Sequence, residues 1–410
     1  MSTRNFASCS ACGKADPASV CTGCRRAFYC GPACQREHWR IHKTLCKDFK
    51  DFARIEFKSG ISGATAGDVE AQYRAGFCLL CGVGVAADAL EAMMLLRRAA
   101  EAGHVDAQFR AGITLLDGSY AVTPDPVEGL ALLRRAAEAG HVDAQFEAGV
   151  SLLQGVGVAV DAVEAVVWLL RAAQEGHLKA QYQLAICYLG GSGVAACNVT
   201  ALHWFYTAAL AGSPEAIFHV SSFFLTGSGG LDANAVECTK WTRKSAEAGH
   251  ATAQYWLGTA YINGTGITAD AEEGVAWLRR SANAGFAPAL GYLGVCYLDG
   301  TGVAVDAVQG VAWLRRAVEA GDSVAKGNLG ICYLNGKGVA KDAAEAARLF
   351  RGEAEAGDAS AQYRLGLCLM GTGVADDKAQ AMALLCKAAE AGDADARTLL
   401  NELESSEVTA

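Results

Sequence analysis

Proline is scarce in this chain: six residues in 410, two of them within the first 32. That scarcity excludes polyproline linkers and collagen-like structure and leaves long stretches free to be helical. Charged residues are also few, 19% against 52% apolar, which excludes a disordered chain. The N-terminal run Met1-Ser-Thr-Arg-Asn-Phe-Ala-Ser-Cys-Ser10 has no apolar stretch behind its charge, so no secretory signal is expected and a reducing, cytoplasmic or nuclear setting is. Long hydrophobic runs are missing too. Residues 180–214 contain 35 positions without a formal charge, but Gly190 to Gly193, Asn198, His203 and Pro214 break them into pieces shorter than the roughly 20 helical residues a membrane span needs. The expectation there is no membrane span but the most buried copy of the repeat described next.

Glycine and cysteine are abundant, at 47 and 16 residues, and both are patterned. The phrase Ala-Ala-Glu-Ala-Gly-His, or its equivalent, places a glycine at Gly67, Gly103, Gly140, Gly176, Gly212, Gly249, Gly285, Gly321, Gly357 and Gly392, at intervals of 35 to 37 residues. Each interval holds two apolar runs of helical period, separated by a second glycine signal such as Gly155-Val-Gly157 or Gly300-Thr-Gly302 and usually an Asp, as at Asp161, Asp270, Asp306 and Asp342. Glycine favours the left-handed C-terminal cap and aspartate the N-cap, so each copy reads as helix, turn, helix, turn. One such hairpin cannot bury both apolar faces, whereas stacked neighbours can.

Comparing copies shows what packs. Four residues after each reference glycine stands alanine, without exception (Ala71, Ala107, Ala216, Ala289, Ala396 among them), as close helix approach requires. Two positions later an aromatic recurs (Tyr73, Phe109, Phe146, Tyr182, Phe218, Tyr255, Tyr363), and eight before the next glycine a tryptophan (Trp168, Trp204, Trp241, Trp277, Trp313). Cys78, Cys187, Cys296, Cys332 and Cys368 share a column with Thr114, Ser151 and Ala260, a slot for small residues rather than a row of reactive thiols. Cys81, Cys197, Cys238 and Cys386 follow no column.

Phrases such as Ala253-Gln-Tyr-Trp-Leu-Gly258, Tyr261-Ile-Asn-Gly-Thr-Gly-Ile267 and Ala276-Trp-Leu-Arg-Arg-Ser-Ala282 resemble the Sel-one-like repeats, relatives of tetratricopeptide repeats, over nine consecutive copies. The resemblance implies a mainly α fold, a right-handed α/α superhelical solenoid of about nine helix-turn-helix repeats over residues 68–400, acting as a scaffold for protein contact without chemistry of its own. Departures from the pattern occur at Gly118-Ser-Tyr-Ala-Val-Thr-Pro-Asp-Pro126 and at Ala195-Ala-Cys-Asn198, which lacks the usual Asp. Residues 47–67 read as a short helix-like segment with a Gly/Ser/Ala linker, and residues 401–410 as a polar tail.

The first fifty residues differ in physics. They hold nine basic and three acidic side chains, net +6, which leaves 26 basic and 41 acidic, net −15, for the rest. Seven of the cysteines fall here in the order Cys9-x2-Cys12, Cys21-x2-Cys24, Cys30-x3-Cys34, His42-x3-Cys46. Four pairs make eight soft donors, the number two tetrahedral structural zinc ions take, and a module this small needs metal to fold. His38 competes for the eighth position; His42 is favoured because Cys46 completes its pair. Spacing alone leaves open whether the pairs bind in sequence or interleave. The run from Tyr29 to Cys46 behind two Cys-x2-Cys pairs resembles the MYND-type zinc finger over residues 9–46. That resemblance implies interleaving, with Cys9, Cys12, Cys30 and Cys34 on one ion and Cys21, Cys24, His42 and Cys46 on the other, and a module that takes short proline-containing peptides. Seven bound thiolates and two dications bring the net charge to about +3, without a long base-reading helix, so nucleic acid binding is disfavoured.

On the first helix of each copy, offsets 3, 7 and 14 from the glycine are expected to form the exposed stripe, lining the inner surface of the superhelix. The offset-7 column runs Arg74, Arg110, Glu147, Gln183, His219, Trp256, Tyr292, Asn328, Arg364, and His219, Trp256 and Tyr292 are its candidate partner-binding residues. The function expected is a non-enzymatic adaptor; alternatives are a regulatory role in transcription or chromatin complexes, or an adaptor of a ubiquitin ligase. Repeats fill the space a methyltransferase domain needs. Chelation is expected to unfold residues 9–46 and spare the repeat helices, with two zinc ions in native mass spectrometry. A single ion, or loss of the whole helical circular dichroism signal, contradicts the two-module picture.

Overall fold

A computed structural model describes residues 19–20, 28–29, 63–64, 67–83, 85–371 and 375–408. Near the N-terminus, β1 (Ser19–Val20) pairs antiparallel with β2 (Phe28–Tyr29), Ser19 opposite Tyr29 and Val20 opposite Phe28. Every other regular element among the described residues is a helix, joined by turns. The hairpins are α1 (Val69–Cys81) with α2 (Ala89–Glu101), α3 (Val105–Asp117) with α4 (Pro126–Glu138), α5 (Val142–Gln154) with α6 (Ala162–Gln174), and α7 (Leu178–Gly190) with α8 (Asn198–Leu210). They continue with α9 (Pro214–Thr226) and α10 (Ala235–Glu247), α11 (Ala251–Asn263) and α12 (Ala271–Asn283), α13 (Ala287–Asp299) and α14 (Ala307–Glu319), α15 (Ser323–Asn335) and α16 (Ala343–Glu355), and α17 (Ala359–Met370) and α18 (Ala375–Glu390), closing on α19 (Ala394–Val408). The fold is mainly α, a solenoid of helix-turn-helix repeats. It divides into two compact units, Met1–Trp204 and Phe205–Ala410, and within each a hairpin packs on its sequence neighbours.

Local chemistry explains each boundary. Second helices start at aspartates whose carboxylates accept the amide three residues on, as Asp88 does from Glu91, Asp161 from Glu164 and Asp342 from Glu345; Asn234 serves α10 in the same way. First helices end on left-handed glycines such as Gly82 (φ 62°) and Gly264 (φ 69°). Between them sits the tightest contact of the architecture. Gly157, Gly193, Gly266, Gly302 and Gly338 have positive φ, and a Cβ on any of them would collide with a backbone carbonyl oxygen: that of Pro126, Ala162, Ala235, Ala271 or Ala307 in turn. Each of those carbonyls belongs to the first residue of the preceding repeat's second helix. Loop backbone therefore lies directly on helix backbone, with no side chain between.

The core is layered by the columns. Every offset-4 alanine is buried. One position later, glutamine recurs and is buried, and its Nε2 donates to the carbonyl of the residue eight earlier: Gln108 to Ala100 at 3.0 Å, Gln145 to Ala137 at 3.2 Å, Gln181 to Ala173 at 3.1 Å, Gln254 to Ala246 at 3.1 Å and Gln362 to Ala354 at 3.1 Å. Each bond adds a second donor to a carbonyl in the last turn of the preceding second helix that also accepts the reference glycine's amide, as Ala100 does from Gly103. In α19, Arg397 does the same work, its Nε donating to the Ala389 carbonyl at 2.9 Å.

Three local expectations change. The uncharged stretch 180–214 is not the most buried copy, since Val199 is 62% and Leu210 72% exposed; uncharged side chains there simply face outward. No helix among the described residues is long and apolar enough to cross a membrane. In the second repeat, Tyr120 (φ 59°) and Ala121 (φ 61°) take the left-handed conformation in place of the absent glycine, inside a short 3-10 turn. The last helix runs on to Val408, through the segment read as a polar tail.

Two glycine-to-alanine substitutions separate conformation from contact. Gly321 (φ 89°) has open space around its missing Cβ, so Gly321→Ala should cost only the left-handed penalty, about 1–2 kcal/mol. Gly302→Ala adds a collision with the Ala271 carbonyl and should lower the thermal midpoint several times further, read by circular dichroism. Equal losses contradict the backbone-on-backbone account.

Candidate interaction surface

The zinc-ligand candidates Cys9, Cys12, Cys21, Cys24, Cys30, Cys34, His42 and Cys46 lie outside the described residues. The β1–β2 pairing stands beside two of their pairs in sequence: Val20 precedes Cys21 and Tyr29 precedes Cys30.

On the first helices, offset 3 is exposed at Glu70, Asp106, Lys179, Glu215, Pro288 and Val324. Offset 7 is less open than the helical wheel alone predicts. Arg74 and Trp256 are exposed, while Arg110, Glu147, Gln183, His219, Tyr292, Asn328 and Arg364 are half-buried. Side chains of neighbouring repeats cover part of this stripe, as Tyr255 does beside Tyr292. Glu147 feels this directly: burial raises its carboxyl pKa above the usual range, partly offset by Lys179.

The three partner-binding candidates divide. Trp256 is 50% exposed and meets the half-buried Tyr255 edge to face at 5.7 Å. Tyr292 meets the same Tyr255 edge to face, with ring centroids 6.2 Å apart. Trp256 and Tyr292 are thus joined through one ring. His219 is turned elsewhere, stacked on the buried Phe205 at 4.5 Å, and burial, then the nearby His250, hold its pKa below the usual value.

Family comparison supports the same architecture. The family model described as "Sel1 repeat" matches nine successive segments from 69–104 to 359–393. The chain belongs to the Sel1 repeat family. A second family model, "MYND finger", matches residues 9–46. Among solved structures, this Sel1 repeat protein is similar to a protective antigen of uropathogenic Escherichia coli with an SLR fold: 30% identity, TM-score 0.71, covering 83% of this chain and 73% of the antigen. It is also similar to a Sel1 repeat protein from Oxalobacter formigenes, at 33% identity and TM-score 0.58, covering 76% of this chain and 90% of that one.

The cysteines of the Sel1 repeats sort by environment. Cys187, Cys296, Cys332 and Cys368 are buried, and burial pushes the thiols of Cys296 and Cys368 up to about 11, which makes them inert packing residues. Cys197 occupies the position where other repeats carry the capping Asp. The Thr200 hydroxyl donates to its Sγ at 3.2 Å, and that bond, with backbone amides of Thr200 and Val199, holds its pKa below the usual thiol value.

A structural role for histidine had no counterpart in the sequence reading. His104, His141, His177 and His250 cap α3, α5, α7 and α11, with Nδ1 accepting the amide three residues on. Their outer faces meet the preceding repeat's aromatic column, as Phe109 on His141 at 4.3 Å and Phe146 on His177 at 4.6 Å. An accepting Nδ1 must be unprotonated, so Nε2 carries the proton, and in His104 it lies 2.9 Å from Glu70. Only a neutral ring caps. Burial holds His177 and His250 below their usual pKa, against the opposing pull of Asp143 and Glu215. The unfolded chain therefore binds more protons than the folded one below about pH 6.5, and stability from these caps is lost as the pH falls through that value. The thermal midpoint should drop between pH 7.5 and 5.5. His177→Ser with His250→Ser, copying the cap Ser213 provides for α9, should flatten that drop; an unchanged pH slope contradicts the cap assignment.

Proposed function

We propose that this Sel1 repeat protein is a non-enzymatic adaptor in which the finger and the repeat array each hold a protein ligand. The observation that carries the reading is the run of nine consecutive repeats in which the packing columns stay constant while the outward positions of the first helices vary. A constant scaffold with a variable face is what recognition needs and what a catalytic site does not supply.

At the finger, seven thiols and the His42 imidazole form four pairs, a donor set whose softness and number suit two tetrahedral zinc ions: Cys9, Cys12, Cys30 and Cys34 for one, Cys21, Cys24, His42 and Cys46 for the other. With every coordination position taken by protein, such sites are structural. A proline-containing peptide is the ligand this finger type implies, in the cytosol or nucleus. On the array, Trp256 is the anchor of a partner surface that includes Tyr292, with His219 at its margin. Aromatic side chains that are already held by a neighbour lose little entropy on binding and dominate contact energies.

Affinity purification with finger and array as separate baits identifies the partners. Against an array partner, Trp256→Ala should cost about 2 kcal/mol, roughly a thirtyfold loss of affinity. It should barely move the thermal midpoint, since half of the ring faces water. Unchanged binding by the folded variant contradicts this surface.

A further inference from the structure

A groove of about 480 Å³ lies between α16 and α18, with α17 as its floor. Leu365, Leu369 and Leu384 form its apolar wall, and Arg351 and Lys387 stand on its rim. The repeat register identifies what occupies the equivalent space elsewhere. Leu369 is twelve residues past its reference glycine and Leu384 eight before the next; in the sixth repeat those positions are Tyr261 and Trp277. There the two rings pack with Ala246 and Leu257, the counterparts of Ala354 and Leu365.

The cations follow the same logic. Arg243, the counterpart of Arg351, donates to the Tyr261 hydroxyl at 2.8 Å and lies over its ring. Arg280, the counterpart of Lys387, stacks over Trp277 at 4.1 Å. The last repeat keeps both cations and replaces both rings with leucine.

The second repeat also has two leucines here, Leu115 and Leu132, but it closes the space differently. Glu128 reaches across to Arg97 with both carboxylate oxygens, and Arg135 donates to the Ala100 carbonyl. The counterpart of Glu128 in the last repeat is Gln380, which carries no charge to pair with Arg351. Two lost rings and one lost carboxylate together make the groove.

We propose that this groove docks an aromatic side chain presented by an acidic segment of a partner protein, the ring taking the place that Tyr261 and Trp277 fill in the sixth repeat. An aromatic ring fits better than an aliphatic chain because both rim cations sit where their counterparts stack on rings. Acidic flanks complement two cations opposed by one carboxylate, Glu355. The volume holds an indole together with part of its flanking chain.

The test uses the full chain and two fluorescein-labelled heptapeptides, one with a central tryptophan between triplets of glutamate, the other with alanine at the centre. Fluorescence anisotropy should show the tryptophan peptide binding roughly tenfold more tightly. Leu384→Trp, which refills the groove without changing charge, and Gln380→Glu, which recreates the ion pair of the second repeat, should each abolish that preference while the thermal midpoint holds. Trp256→Ala should leave it intact, which separates this groove from the first-helix stripe. Equal binding of the two peptides overturns the proposal, as does an undiminished preference in either folded variant.

Discussion

Five repeats of this array are set by one close approach, that of a loop glycine to the first carbonyl of the preceding repeat's second helix. Because backbone meets backbone at Gly157, Gly193, Gly266, Gly302 and Gly338, the distance between successive hairpins is fixed by atoms that every sequence shares. The rest follows from that spacing. Alanine stands four residues past every reference glycine, a glutamine or arginine reaches the carbonyl eight residues back, and the next helix's cap falls under the aromatic column. Helices of 12 to 16 residues have many ends for their length, and the repeat answers by letting each hairpin satisfy its neighbour's ends.

The proposed docking surfaces lie where copies depart from that rule while keeping its spacing. At Trp256, as at Tyr292, the departure adds an aromatic ring to a mostly polar column, and Trp256 stays half exposed beside Tyr255. At Leu369, Leu384 and Gln380 the departure removes groups, and two cations keep the geometry of the rings they no longer meet. A solenoid is suited to such variation because each repeat contacts mainly its neighbours, so a local change costs stability locally and leaves distant repeats intact.

The architecture was legible because its signals are local: a glycine every 36 residues or so, an aspartate before each second helix, a column of small residues that included five cysteines. The histidine caps were not, because histidine is an uncommon cap and its role appears only when Nδ1 is seen to face an amide. The glutamine column was equally hidden, since its partner carbonyl is eight residues back across a turn and no helical period connects them. The offset-7 stripe is less open than a helical wheel suggests, because the wheel does not show the side chains of neighbouring repeats. The groove needed both views: the register to name the missing rings, and the sixth repeat's packing to show where those rings sit. The eight candidate finger ligands rest on spacing and donor chemistry and lie outside the described residues.

The central claim is that backbone contact between neighbouring hairpins, rather than a shared global core, holds the array together. Hydrogen exchange mass spectrometry on Gly266→Val tests it directly, because the new side chain collides with the Ala235 carbonyl. The account predicts faster exchange concentrated in the hairpins that meet at that contact, residues 214–283, with protection retained toward 323–370. Uniform acceleration across all the repeats, or none anywhere, would contradict it.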